Sequence, residues 1–180
     1  MSDTTSAPPP IRWHDPALWL ATCGGIGRVG VAPGTFGSVV GVPLSLAVGW
    51  LANAVTSRLG GGGWLPTVVE GALVAAICVA AVPVCTRAVR LLGRGDDPGA
   101  IVLDEAAALP LALLAVPFTA RSWTVLVAGF LLFRLFDIWK PVPCRQLESL
   151  PGGLGIMADD WGAAAWAAGC LVIARGQGWV

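Results

Sequence analysis

Residues 64–86 read WLPTVVEGALVAAICVAAVPVCT, a run in which Glu70 is the single charge. Such a length far exceeds an ordinary strand, so helix is the assignment. A bilayer crossing takes about 20 apolar residues, and this run reaches that unaided. Gly60 to Gly63 form a turn before it, and beyond that turn lies a second apolar run, Val39–Val55. On the C-terminal side three shorter runs follow, Ala106–Ala120, Ser122–Phe133 and Trp161–Ala174. The chain is 56% hydrophobic with a mean hydropathy of +0.75, above what soluble domains carry. Nine Trp and no Tyr supply rings of the kind that collect at bilayer interfaces. The expectation is an all-α fold: a compact helical bundle with several membrane-embedded or membrane-spanning helices. One domain should cover residues 13–180, after a polar, proline-rich leader at 1–12 expected to be disordered. That leader lacks the basic and apolar regions of a signal peptide.

Formal net charge is zero, so no basic field exists to hold nucleic acid. The five cysteines form no CxxC pair and read as small buried hydrophobes. His14, the single histidine, reads as a surface residue. If the five runs cross the membrane, segments 1–38, 87–105 and 134–160 share one side. Arg12, Arg28, Arg87, Arg90, Arg94, Arg134, Lys140 and Arg145 fall there; Arg58, Arg121 and Arg175 fall opposite. The positive-inside rule makes the first side cytoplasmic. Three separated polar segments therefore converge at one face. Small-residue spacings such as Ala165-x3-Gly169 permit close helix contact within one chain or between two, and leave the oligomeric state open.

Charge makes up only 12% of the chain, yet FRLFDIWKPVPCRQLESLPGGLGIMADD, residues 133–160, is dense in it. Charges beside apolar helices need ligands, a metal or one another. The carboxylates Asp96, Asp97, Asp104, Glu105, Asp137, Asp159 and Asp160 offer oxygen ligands of the sort Mg²⁺ takes. The plainer role for Asp104–Glu105 and Asp159–Asp160 is to open and cap two helices, and a cap can leave its neighbour free for metal. Arg134, Asp137 and Lys140 follow i, i+3, i+6, which also suits an ion-paired helix edge. Pro141 disfavours helix at Lys140 and puts that residue in an extended or turn segment. Arg and Lys together suit phosphate, one as a fork and one as a point charge. Glycines 34 and 37 with Thr35 and Ser38 precede an apolar helix, an arrangement that suits either a phosphate or a tight turn. No Gly-Lys-Ser/Thr follows, so this is no Walker A loop.

Four segments together carry a resemblance: GVAPGTFGS (30–38), DDPGAIVLDE (96–105), FRLFDIWKPVP (133–143) and LPGGLGIMADD (150–160). In content and order they resemble the phosphatidylglycerophosphatase A family of bacterial lipid phosphatases, over residues from about 20 to 175. The resemblance implies Mg²⁺-dependent hydrolysis of phosphatidylglycerophosphate to phosphatidylglycerol in phospholipid biosynthesis. It places the chain as a multi-pass protein of the bacterial inner (cytoplasmic) membrane among membrane lipids, its active site facing the cytoplasm. Carried onto this chain, it implies a metal-binding pool of Asp104, Glu105, Asp137, Asp159 and Asp160. Gly34, Thr35, Gly37 and Ser38 would bind the phosphate. Asp137, Asp160, Lys140 and Arg134 form the catalytic set, with Arg134 and Lys140 neutralising phosphate oxygens. A metal-activated water with a spare Asp as base is the expected nucleophile, and an aspartyl-phosphate route is the alternative. Gly30, Ala108 and Ala164 stand where members often carry Pro, Gly and Gly, which removes no chemical group.

No Cys-x5-Arg loop, DxD motif or histidine set occurs, which excludes the phosphatase chemistries that need them. Two competing readings stand beside this one. One is a non-catalytic membrane protein, a small transporter or assembly subunit, whose charges pair structurally. The other is a phosphatase of the same mechanism acting on another phosphomonoester.

Overall fold

Seven α-helices and no strand occur among the residues described, 13–93 and 99–180, of the computed structural model. The 1–12 leader, Arg94, Asp96 and Asp97 lie outside the described residues. Helix α1 is Pro16–Ala21, opened by Asp15, whose side chain accepts from the Ala17 N–H. A 3-10 turn at Ile26–Arg28 follows. Helix α2 is Pro33–Arg58, with Pro33 at its first turn, where the missing N–H costs nothing. Helix α3, Leu65–Leu92, absorbs the 64–86 run and ends on Gly93 at φ 60°. Helices α4 (Leu103–Leu113), α5 (Trp123–Trp139), α6 (Cys144–Glu148) and α7 (Gly153–Gly176) complete the chain.

Helix α4 is the axle. Asp104, Ala106 to Pro110, Ala112 and Leu113 are all buried, and α2, α3, α5 and α7 pack around it. Its alanines permit this close approach, and the partner helices meet it with glycines. A Cβ on Gly41 would stand 2.8 Å from Leu109 Cβ, and one on Gly129 would stand 2.6 Å from Leu113 Cδ2. One core gathers Leu18, Val74, Cys78, Cys85 and Met157; the other gathers Leu109, Leu113, Phe133 and Leu171. Cys78, Cys85 and Cys144 are buried, as small hydrophobes should be, Cys23 and Cys170 are only half-buried, and His14 is exposed.

Helices α2, α4 and α7 begin at one end of the bundle, and α3 and α5 finish there. Gly34 meets Glu105 and Arg134, and Thr86 Oγ1 accepts from the Gly153 N–H at 3.0 Å. The convergence of separated polar segments at one end is thus real. Uniform crossings are not. Helices α2, α3 and α7 are long and apolar enough to cross a membrane, which makes this a membrane protein with three such helices. Helix α4, with 11 residues, measures only about 16 Å.

The expected single run Ala106–Ala120 breaks at Leu113 because of Arg121. Its Nε donates to the carbonyls of Leu113 (3.1 Å) and Val116 (2.9 Å), satisfying orphan acceptors where α4 stops. The guanidinium also donates to Ser45 Oγ at 3.1 Å and pairs with Glu70 at 2.6 Å, with both side chains withdrawn from solvent. Arg121, expected as a charge on the far side, is instead an interior anchor. Helices α4 and α5 form a hairpin hung on this ion pair, and Phe118 in its turn packs on Gly49 of α2.

Candidate active site

At the end where the helices converge lies a cavity of about 200 Å³ lined by charge. Asp104 and Glu105 enter it from the first turn of α4, where the helix N-terminus favours anions. That start is held in place from behind: the Val102 N–H donates to the Ala21 carbonyl at 2.9 Å, and Gly27 packs without a Cβ on the Ala100 backbone. Arg134 and Asp137 enter from the last turns of α5 and pair with one another. Arg134 also reaches Glu105 at 3.8 Å. Lys140 closes α5 with φ 49°, a left-handed turn residue, the turn rather than the extended form of the two expected before Pro141. This bend returns its ammonium to Asp159 (2.8 Å) and Glu148 (2.9 Å).

Asp159 and Asp160 enter from α7. They do not cap it. The helix starts at Gly153, six residues before Asp159, because the glycines of LPGGLG let its first turns sit against α3 and the α6 segment. A Cβ on Gly153 would stand 2.5 Å from the Thr86 nitrogen, and one on Gly155 would stand 2.7 Å from the Glu148 carbonyl oxygen. The acid pair thus sits buried in the second turn, facing Asp104 and Asp137.

The GVAPGTFGS segment is also helical from Pro33 onward, so its residues point in different directions. Gly34 lines the cavity, where a side chain would collide with Glu105 Oε1. Thr35, Gly37 and Ser38, expected to bind phosphate with it, are not among the lining residues. Gly37 packs on Val102, whose Cβ would lie 2.7 Å from an added methyl. Ser38 is buried; its hydroxyl donates to the Gly34 carbonyl at 2.9 Å and accepts from Arg134 at 3.5 Å. Its place is behind Arg134. Glu148, unassigned by the sequence, is the second partner of Lys140, and the signal for it was an acid eight residues past the sole lysine.

Five carboxylates therefore share the cavity with two cations, an excess of three negative charges if all ionise. One oxygen each of Asp104, Glu105 and Asp160 lies within 4.8 Å of the others, and the same holds for Asp137, Asp159 and Asp160. Asp160 belongs to both groups. Buried oxygens Asp104 Oδ1, Glu105 Oε2, Asp159 Oδ1 and Asp160 Oδ2 have no hydrogen-bond partner. Burial, then the adjacent Glu105, pushes the Asp104 carboxyl well above the usual carboxylate range, and burial raises Glu105 too. Burial works to lower Lys140, but hydrogen bonds to Asp159 and Glu148 outweigh it and hold the ammonium charged. Orphaned, crowded, hard oxygen donors fit one or two divalent cations such as Mg²⁺.

A family described as Phosphatidylglycerophosphatase A matches residues 19–175. The chain belongs to this family. The phosphatidylglycerophosphatase A match encloses every cavity residue from Ala32 to Asp160. Phosphatidylglycerophosphatase A of Escherichia coli K12 is 32% identical over 165 residues, covering 89% of this chain and 84% of that relative. Phosphatidylglycerophosphatase A of Haemophilus influenzae is 34% identical over 168 residues, covering 92% and 91%. A Bacteroides thetaiotaomicron protein with the provisional name phosphatidylinositol-3-phosphatase is 41% identical over 81 residues. That match spans 45% of this chain and about half, 51%, of the relative's length. No solved structure gives a significant match.

Proposed function

We propose that this protein hydrolyses the terminal phosphomonoester of phosphatidylglycerophosphate, releasing phosphate and phosphatidylglycerol, with Mg²⁺ as cofactor. The observation that carries the reading is the cluster of unpartnered carboxylate oxygens beside Arg134 and Lys140, in a chain of this family. A phosphate dianion would be repelled by five bare carboxylates, so the acid excess itself argues for cations between them and the substrate. Asp104, Glu105 and Asp160 would hold one ion, and Asp137, Asp159 and Asp160 a second. Such ions, when bound, offset phosphate charge and make water more acidic.

The side chains perform the rest. Gly34, open to the cavity, leaves room for the headgroup where any side chain would meet Glu105. Arg134 and Lys140 line the cavity and offset the charge on the phosphate oxygens as the ester bond lengthens. Water forms the new P–O bond, the bond to the lipid glycerol oxygen breaks, and the second oxygen of one of the cavity carboxylates, not taken up by an ion, carries the proton from water to the departing alkoxide. Among the described residues, Arg28, Arg87, Arg90, Arg134, Lys140 and Arg145 lie toward the site end and Arg58 and Arg175 toward the other. This asymmetry supports a bacterial inner membrane setting with the site facing the cytoplasm.

The test is phosphate release from phosphatidylglycerophosphate by detergent-purified protein, with Mg²⁺ or excess EDTA, beside Asp137→Asn. Release that needs Mg²⁺ and is lost in the folded variant supports the reading. Release surviving both EDTA and the substitution would remove the metal mechanism, and no release from folded protein would remove the substrate. The Bacteroides relative's name makes a phosphoinositide monoester the second substrate to try.

A further inference from the structure

Beneath the charged cavity, α2 and α5 part to leave an apolar groove of about 300 Å³. Val39, Val42 and Pro43 form one wall, and Trp123, Val127 and Phe130 form much of the other. No charged side chain lines it. These are the same two helices that carry Gly34 and Arg134. They are joined at the top by the 3.5 Å contact between Arg134 and Ser38. Val39 follows Ser38 directly, and Phe130 lies one turn before Arg134. The groove therefore starts about one helical turn from Arg134, and from Phe130 to Trp123 it runs roughly 10 Å along α5 at the helical rise. Pro43 cannot donate to the Val39 carbonyl, and helices tend to bend at such a point, here on the groove wall itself.

We propose that this groove seats the upper part of one acyl chain of the lipid phosphomonoester whose phosphate enters the charged cavity. The proposal rests on the phosphatase reading above. A volume near 300 Å³ is at the lower edge for small-ligand sites, enough for a length of chain and not for a whole lipid. The occupant is a lipid because the groove lies on the same two helices as the charged cavity, about one turn of α5 from Arg134, and those helices also expose Val39, Leu131 and Leu135. Lipid tails are as apolar as the groove wall, so transfer out of the bilayer gains little. The contribution is orientation: a chain held between α2 and α5 sets the depth and direction of the phosphate relative to Arg134. Misplacement of about 1 Å at a reacting centre can lower a rate by roughly 100-fold, so a loosely held chain should matter.

The probe is phosphatidylglycerophosphate carrying a photoreactive diazirine on one acyl chain, added to the full-length protein in phosphatidylcholine vesicles. Labelling within 39–43 and 123–130, suppressed by unlabelled phosphatidylglycerophosphate and not by more phosphatidylcholine, is the expected result. Labelling spread equally over the exposed face of α3 around Val79 and insensitive to competitor would show bulk lipid contact only, and overturns the proposal. So would a groove free of label in which Val127→Cys chains are joined by a disulfide, since a second copy would then cover it. In parallel, Val127→Trp fills the groove, and Val79→Trp serves as a control on the lipid-facing side of α3. The ratio of kcat/KM for long-chain lipid to kcat/KM for the chain-free headgroup should fall roughly tenfold in the first and hold in the second. An unchanged ratio in Val127→Trp overturns the proposal. If wild type releases phosphate from neither compound, the phosphatase reading fails by itself, and competed labelling would still assign the groove to a phosphomonoester lipid.

Discussion

Gly34 and Asp160 show how single atoms set this site. A methyl on Gly34 has nowhere to go but into Glu105 Oε1, with Arg134 Nη1 3.1 Å away. Gly34→Ala should therefore push Glu105 off the cluster and lower phosphate release by at least roughly tenfold, as a misplaced group does. Its melting temperature should move by only a few degrees, because the added methyl faces a cavity rather than the core. Activity and thermal unfolding measured on the same preparation check this. Asp160 offers the one carboxylate common to both groups of potential ligands. Asp160→Asn should weaken Mn²⁺ binding throughout the cluster, whereas Glu105→Gln should spare the group formed by Asp137 and Asp159. Titration followed by Mn²⁺ electron paramagnetic resonance distinguishes the two, and equal losses would show that the ions are not shared in this way.

At the scale of elements, the short hairpin of α4 and α5 reaches the site without a full crossing. It delivers the first turn of α4 and the last turns of α5 to the same cavity, while Arg121 anchors its turn to Glu70 and Ser45. Removing one partner of a buried pair strands the other charge, at about 3–5 kcal/mol. Arg121→Met should destabilise by that order, also exposing the carbonyls of Leu113 and Val116 to an apolar surround. Glu70→Leu combined with Arg121→Met should recover much of the loss, because an apolar pair carries no desolvation cost. Thermal unfolding in detergent of the single and double variants tests this, and a double variant no better than the single one would contradict it.

For the whole molecule, the bundle has a charged end and an apolar flank. Trp19 and Trp139 lie exposed toward the charged end, and Trp64 and Trp179 toward the other, as interfacial rings do. Should the site face the cytoplasm, a cysteine at exposed Ser149 will react with an impermeant maleimide in inverted vesicles. One at exposed Gly62 will react in spheroplasts. The opposite pattern would invert the proposed topology.

The amino-acid sequence alone determined that the fold is helical, that it belongs with membranes, and which charged side chains would gather at one end of it. Apolar run length and the scarcity of charge are local properties, readable without neighbours. Asp104, Glu105, Arg134, Asp137, Lys140, Asp159 and Asp160 stood out for that reason, and all seven line one cavity. What the local pattern could not show was partnership. Arg121 looked like a boundary between two runs, because its pairing with Glu70 spans 51 positions of chain. Asp159 and Asp160 looked like the start of a helix, because only packing against α3 and α6 explains why the helix already starts at Gly153 within LPGGLG. Ser38 and Gly37 looked like phosphate ligands until the helical twist from Pro33 turned them toward Arg134 and Val102. Composition and periodicity act residue by residue along the chain. Buried charges and bare glycines answer to whatever the rest of the fold sets against them, and that only the tertiary structure decided.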